Sequence, residues 1–243
     1  MTCCLIVGAA PSAHQGLAYV LAHVAFDCVI AVDGGYAALT ERGIVPHVIA
    51  GDFDSLGFVP KGAQPPFDTH KDFTDLDWAL HYAHDHGFDD VVLADALSGR
   101  LDHSLGNLDL MVRSAREGIR VWGVTDEEIV LALAAPGEYS CVNFAEGGVG
   151  VVSVMPHSDK QYGVTETGFE YGLTEASKDN VSLWGISNEL IGKKAEIALQ
   201  SCRRLCLSHW RAYHCIGILS IARFKMEAGW KTRIHTEDRK SVV

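Results

Sequence analysis

The sequence predicts an α/β fold in which an open, doubly wound sheet is followed by an all-β sandwich. Five short apolar runs recur through the first half of the chain, helical periodicity separates some of them, and after Thr125 the texture changes to alternating runs broken by Gly, Pro and Asn. Apolar runs interleaved with helices indicate a parallel sheet covered by those helices, whereas closely spaced turn signals indicate antiparallel strands.

The runs LIVG (5–8), CVIAVDGG (28–35), HVIAGD (47–52), VVLADA (91–96) and RVWGVT (120–125) read as buried parallel strands, which are apolar on both faces. Residues 75–87 and 101–116 carry the helical period. Thr74 is suited to N-cap the first helix, with Asp77 at N3 and an apolar face of Leu76, Leu80 and Ala83. Leu101, Leu105, Leu108 and Val112 form the expected buried stripe of the second. EEIVLAL, PGEYSCVNF, GVGVVSVMP, GVTETGFEY, VSLWGISNEL and KAEIALQ then read as the strands of a sandwich or small barrel. The expected division is 1–124, 125–199 and a separate tail, 200–243.

The chain has 243 residues, 48% of them hydrophobic, and a net charge of -11. The charge argues against nonspecific nucleic-acid binding, which depends on neutralising phosphates. No run approaches the ~20 apolar residues of a membrane helix, and no basic region precedes LIVGAAP, so a cytoplasmic protein without membrane contact is expected. Seven irregularly spaced cysteines suit reduced thiols. The tail differs in kind: residues 200–243 hold 9 of the 20 basic residues and 3 of the 31 acidic ones.

Four segments could carry chemistry. In GDFDS (51–55), Asp52 and Asp54 follow an apolar run, placing two carboxylates at a strand's end or in an ordinary polar turn. In KDFTDLDWAL (71–80), Asp75 and Asp77 fall in a first helical turn, where acids already complement the dipole, and Lys71 precedes it. In SGRLDHSLGNLDL (98–110), Gly99 and Arg100 lead into a helix whose Asp102, His103 and Asn107 lie off the apolar stripe, suited to a phosphate or to a solvated face. Asp33 with Gly34 and Gly35 ends the second strand, as a close-approach site or a tight turn. His81, His84 and His86 are assigned no role. Carboxylates sharing a pocket with a triphosphate need divalent cations between them, and Mg²⁺ with Asp52, Asp54, Asp75 and Asp102 fits, Lys71 and Arg100 taking outer oxygens. No GxxxxGK[ST] loop is present.

In order and spacing, DGG (33–35), GDFDS, KDFTDLDWAL, GRLDHSLGN (99–107) and GISNE (185–189) resemble the thiamine pyrophosphokinase family over roughly residues 5–199. The resemblance implies a Rossmann-like α/β catalytic domain followed by a β-sandwich, and a homodimer with active sites between subunits. It implies transfer of a diphosphoryl group from ATP to thiamine with release of AMP. By position it puts the metal on Asp52, Asp54, Asp75 and Asp102, the nucleotide on Lys71, Thr74, Arg100, His103 and Asn107, and thiamine near Tyr171, Ser187 and Asn188. Asp75, Arg100 and Asp102 are the residues expected to act in catalysis. The family often carries Glu where Asp77 stands. A diphosphokinase for another heterocyclic alcohol, such as a hydroxymethylpterin, a non-catalytic nucleotide or thiamine sensor, and a metal-dependent phosphohydrolase are the rival readings.

The resemblance stops near Ser201, where CRRLCLSHWRAYHCIG stands in place of a Gly turn and a closing strand. A zinc site from Cys202, Cys206, His209, His214 and Cys215, or a basic amphipathic helix, are the minor readings. The favoured one is a replaced carboxyl terminus, as a shift of reading frame would produce, leaving the sandwich without its last strand and with an exposed edge.

Overall fold

The computed structural model describes residues 2–67, 72–135, 140–157, 159–181, 185–199 and the backbone of 215–222. Lys71 and most of the tail lie outside these residues. The chain is mixed α/β, with a parallel-stranded half and a separate antiparallel sheet.

In the first half, β1 (Cys3–Val7), β2 (Cys28–Val32), β3 (Val48–Ala50), β4 (Asp90–Ala94) and β5 (Arg120–Val124) run parallel in the order β3-β2-β1-β4-β5. All five expected strands are present. Cys4, Ile6, Ile30, Val91 and Leu93 pack with Leu76 and Leu80 of α3 (Asp75–Asp85) and with Met111 and Val112 of α4 (Leu101–Arg116). Leu5, Val7, Val29 and Val92 pack with Leu17 and Val20 of α1 (Gln15–His23) and with Ala38 and Leu39 of α2 (Gly35–Thr40). Gly35 is required by this packing, because a Cβ there would collide with the Val7 carbonyl oxygen.

The second half does not begin a new sheet. β6 (Glu128–Ala135) turns back antiparallel onto β5, and β13 (Cys215–Ala222), β8 (Val149–Pro156) and β11 (Asn188–Ile191) continue outward, giving nine strands in the order β11-β8-β13-β6-β5-β4-β1-β2-β3. Across from this end lies a four-stranded antiparallel sheet, β10-β9-β12-β7, from Leu173–Asp179, Lys160–Thr167, Ala195–Leu199 and Cys141–Phe144. Leu131, Leu133, Val152 and Val154 of the large sheet meet Val164, Ile197 and Leu199 of the small one in a core of their own. The expected sandwich thus shares one of its sheets with the α/β half.

Two expectations are corrected. The α4 stripe is buried only in its second half, at Met111, Val112, Ser114 and Ala115, while Leu101 and Leu105 are 72% and 54% exposed. The large sheet is also not short of a strand, since β13 from the atypical tail fills the slot between β6 and β8. The run CIGILSIA is rich in isoleucine, which suits a strand whatever segment precedes it.

Replacing Gly35 by Ala forces α2 off the end of β1. We expect a loss of about 2 kcal/mol, read as a lower urea midpoint with an unchanged denaturant slope.

Candidate active site

Parallel pairing sets the carboxyl ends of β2 and β3 side by side, and the side chains beyond those ends converge with the start of α3. Asp33 follows β2, Asp52 follows β3 and Asp75 opens α3, and each offers an oxygen within 4.8 Å of the others. The backbone is bent to allow this: Asp33 and Phe53 have φ of 47° and 60°, and a Cβ at Gly51 would collide with Asp33 Oδ1. Asp33 Oδ1 accepts from the Phe53 N–H at 3.3 Å. Burial, together with the nearby Asp75 and Asp52 carboxylates, pushes the Asp33 carboxyl up from 3.8 to about 7, against the opposing pull of the Phe53 amide. Three half-buried carboxylates gathered in this way, all hard oxygen donors, fit a hard divalent cation.

The other expected residues stand around this group. Thr74 is the N-cap of α3, its hydroxyl accepting from the Asp77 N–H at 3.1 Å. Asp77 is engaged elsewhere, with Arg113 of α4 and with His81 at 2.9 Å, which makes it a tie between helices. Asp54 is exposed and outside the carboxylate group, its N–H donating to Asp52 Oδ1 at 3.2 Å. Arg100 and Asp102, both exposed, pair at 3.1 and 2.5 Å, and the guanidinium holds the Asp102 carboxyl down at about 2. His103 is exposed, and Asn107 Nδ2 donates to the Ala96 carbonyl at 2.7 Å, tying α4 to the loop after β4. In the sandwich, Tyr171 and Ser187 are exposed. Asn188 is buried with its amide bonded to Glu166 and to the Tyr171 backbone, so it does not present that amide to solvent.

Two features escaped the sequence reading. Asp33 stands in the sequence only with Gly34 and Gly35, as a close-approach site or a tight turn, and its place among the carboxylates depends on where Asp52 and Asp75 fold to. The loop after β1 is the second feature. Asp95, buried at the end of β4, pairs with His14 Nδ1 at 2.6 Å and accepts from Ser12 Oγ at 2.6 Å. Asp126 accepts from the N–H groups of Ala13, Gln15 and Gly16, capping α1 from a distant part of the chain. The loop touches both halves of the site: Ala9 adjoins Gly34, and Pro11 packs on Gly99 and accepts from Ser98 Oγ at 2.7 Å. Partners so far apart in sequence leave no local motif.

An open α/β sheet with hard oxygen donors and an arginine-led helix N-terminus at the carboxyl ends of its strands suits the class of proteins that bind a phosphate-bearing ligand together with a divalent cation. The profile of the family described as thiamin pyrophosphokinase, catalytic domain, matches residues 22–123. A thiamine pyrophosphokinase of Bacillus subtilis (strain 168) is 32% identical over 169 residues, covering 67% of this chain and 78% of the relative. The crystal structure of thiamine pyrophosphokinase from Bacillus subtilis superposes with a TM-score of 0.74 at 23% identity, over 91% of this chain and 99% of that one. That from Geobacillus thermodenitrificans gives 0.71 at 25% identity, over 93% and 99%. The chain belongs to the thiamine pyrophosphokinase family.

The raised Asp33 carboxyl has a stability signature. Between about pH 4 and pH 7 the folded state retains a proton that the unfolded chain releases, so this group's contribution to stability falls as pH rises through that window. We expect Asp33→Asn to flatten this part of the pH profile of the metal-free protein's melting temperature and to weaken the rise in that temperature on adding a divalent cation.

Proposed function

We propose that the chain transfers a diphosphoryl group from ATP to the hydroxyl of thiamine, giving thiamine diphosphate and AMP. The observation that carries this reading is the Asp33, Asp52 and Asp75 cluster at the strand ends of a chain with this family membership. Strand order 3-2-1-4-5, with helices packed on both faces, supports the doubly wound, Rossmann-like description of the half ending near residue 124. Residues 125–199 would supply the acceptor side, through Tyr171 and Ser187. An exposed aromatic suits thiamine, whose thiazolium is cationic and whose pyrimidine is flat. No helix among the described residues is long and apolar enough to cross a membrane, and the biosynthetic role suits the cytoplasm.

Asp33, Asp52 and Asp75 would hold a divalent cation, for which Mg²⁺ is the proposal, with Asp54, two residues after Asp52, and Asp102, in the first turn of α4, as the further candidate carboxylates. When bound, the cation supplies charge neutralisation between carboxylates and phosphate oxygens. The chain's own residues do the rest. The thiamine hydroxyl oxygen attacks the β-phosphorus in line, and the bond from that phosphorus to the oxygen shared with the α-phosphate breaks. Arg100, exposed and pre-oriented by Asp102, exchanges that carboxylate for phosphate oxygens at the N-terminus of α4, with Lys71 as a second cation. Thr74, His103 and Asn107 line the nucleotide side. An aspartate of the cluster is the candidate to accept the hydroxyl proton.

The deciding assay supplies ATP, Mg²⁺ and thiamine and resolves the nucleotides. Thiamine diphosphate and AMP in equal amounts are expected; ADP would exclude one-step diphosphoryl transfer, binding without turnover would make the chain a sensor, and ATP consumption without acceptor would make it a hydrolase. A hydroxymethylpterin used in preference would reassign the acceptor. Asp52→Asn and Asp75→Asn should each lower kcat by roughly a hundredfold or more, while His84→Ala, on the exposed side of α3, stays near wild type.

A homodimer with shared sites is part of the same proposal, and the bare leucines of α4 support it. Leu101→Glu with Leu105→Glu should shift the mass measured by light scattering toward a single 26.4 kDa chain. An unchanged mass would move the interface elsewhere.

A further inference from the structure

Between the two sheets of the sandwich lies a polar cluster that the transfer chemistry does not use. Lys178 on β10 and Glu166 on β9 are 2% and 1% exposed. Lys178 Nζ donates to Glu166 Oε1 at 3.2 Å and to the Val154 carbonyl of β8 at 3.5 Å. Glu166 Oε2 in turn accepts from Asn188 Nδ2 at 2.8 Å, on β11 of the opposite sheet. The cluster therefore joins four strands from both layers.

Each end of the cluster holds a piece of exposed backbone. Asn188 Nδ2 also donates to the Tyr171 carbonyl at 2.8 Å, and Asn188 Oδ1 accepts from the Tyr171 N–H at 3.1 Å and the Glu189 N–H at 2.9 Å. Both backbone polar groups of Tyr171 are thus clamped by one buried amide, while the residue as a whole is 68% exposed. At the other end, Gly185 sits against Lys178 so closely that a Cβ would collide with Nζ, and its carbonyl accepts from the Val154 N–H at 2.9 Å. Gly185 has φ of 89°, and the segment continues to Ser187, with φ of 61° and its N–H on Ser153 Oγ at 3.0 Å. Burying an ion pair is costly even when the pair is well made, and apolar side chains of similar volume fill such a space at equal or better stability. What apolar side chains do not supply is directional bonds that hold two separate segments at once.

We propose that Glu166, Lys178 and Asn188 are positioning residues for the acceptor alcohol, holding Tyr171 and the 185–187 segment in one fixed relation. This rests on the reading that Tyr171 and Ser187 meet thiamine. The cluster touches neither substrate; it acts through the backbone it holds. Loss of the cluster loosens acceptor binding and leaves the nucleotide end alone, because Asp33 and Asp52 follow β2 and β3 at the far part of the same sheet, with Asp75 of α3 beside them.

The test is steady-state kinetics on the full chain with each substrate varied in turn. Asn188→Ala is expected to raise the KM for thiamine by about tenfold or more while kcat and the KM for ATP stay within about twofold. Gly185→Ala keeps every side chain of the cluster but presses a methyl against Lys178 Nζ at a φ of 89°, disturbing the contact between the cluster and the 185–187 segment, so it should give the same split even if Asn188→Ala does not fold. Ile197→Ala, in the apolar core of the sandwich, is the control: it lowers the melting temperature and the active fraction without moving the thiamine KM. An unchanged thiamine KM in the folded Asn188 or Gly185 variant overturns the proposal. Failure of the underlying reading looks different: no AMP from the wild type removes the activity, and an unaltered thiamine KM in Tyr171→Ala removes the acceptor site.

Discussion

Trp122, Gly123 and Val124 of β5 pair antiparallel with Leu131, Val130 and Ile129 of β6, and this short ladder is where a parallel sheet becomes an antiparallel one. The rest of the molecule depends on it. On one side, parallel neighbours deliver their carboxyl ends to a common edge, where Asp33 and Asp52 emerge. On the other, the same sheet supplies the inner face on which the four-stranded sheet packs. Because backbone hydrogen bonds run through the junction, the acidic end and the sandwich cannot swing about a flexible linker.

The acidic end is assembled at a cost that folding alone does not repay. Like charges are drawn together, and Asp33, Gly51 and Phe53 occupy backbone conformations that side-chain-bearing residues avoid, with Gly51 sparing a collision. A cation reverses the sign of the electrostatic part. The loop after β1 offers the opposite arrangement, in which buried Asp95 and half-buried Asp126 are satisfied by hydroxyl, imidazole and amide groups within the chain. One set of carboxylates therefore closes a loop, and the other brings three oxygen donors within reach of one cation.

What could be read in the sequence follows from how local each signal is. Buried parallel strands are continuous apolar runs, so all five were visible, as was α3, whose cap Thr74 lies one residue before it. The helices α1 and α2 were not. The N-terminus of α1 is capped by Asp126, far along the chain, and α2 is six residues opening on glycines that also suit a turn. Leu101 and Leu105 kept the helical period yet lie bare, because a period shows which residues share a face and not whether anything covers it. In the candidate site, the aspartates were legible as a class of chemistry, but the membership of Asp33 depended on which strands became neighbours. Lys178 lies in LTEASKD, which reads as a solvated strand until Glu166 is placed beneath it.

The slot taken by β13 bears on how the chain comes off the ribosome. Every strand from β2 to β6 finds a neighbour among strands already made, but β8 and β11 reach the large sheet only through β13, the last strand among the described residues to be synthesised. Until residue 222 has emerged, β6 and β8 each face an empty edge, the kind of surface that recruits another chain. The α/β half can therefore settle during translation, while the sandwich waits for contacts of long sequence separation, which form slowly. A nascent chain of this protein thus passes through an interval with one finished lobe and one adhesive one, and its yield in a crowded cell depends on how short that interval is.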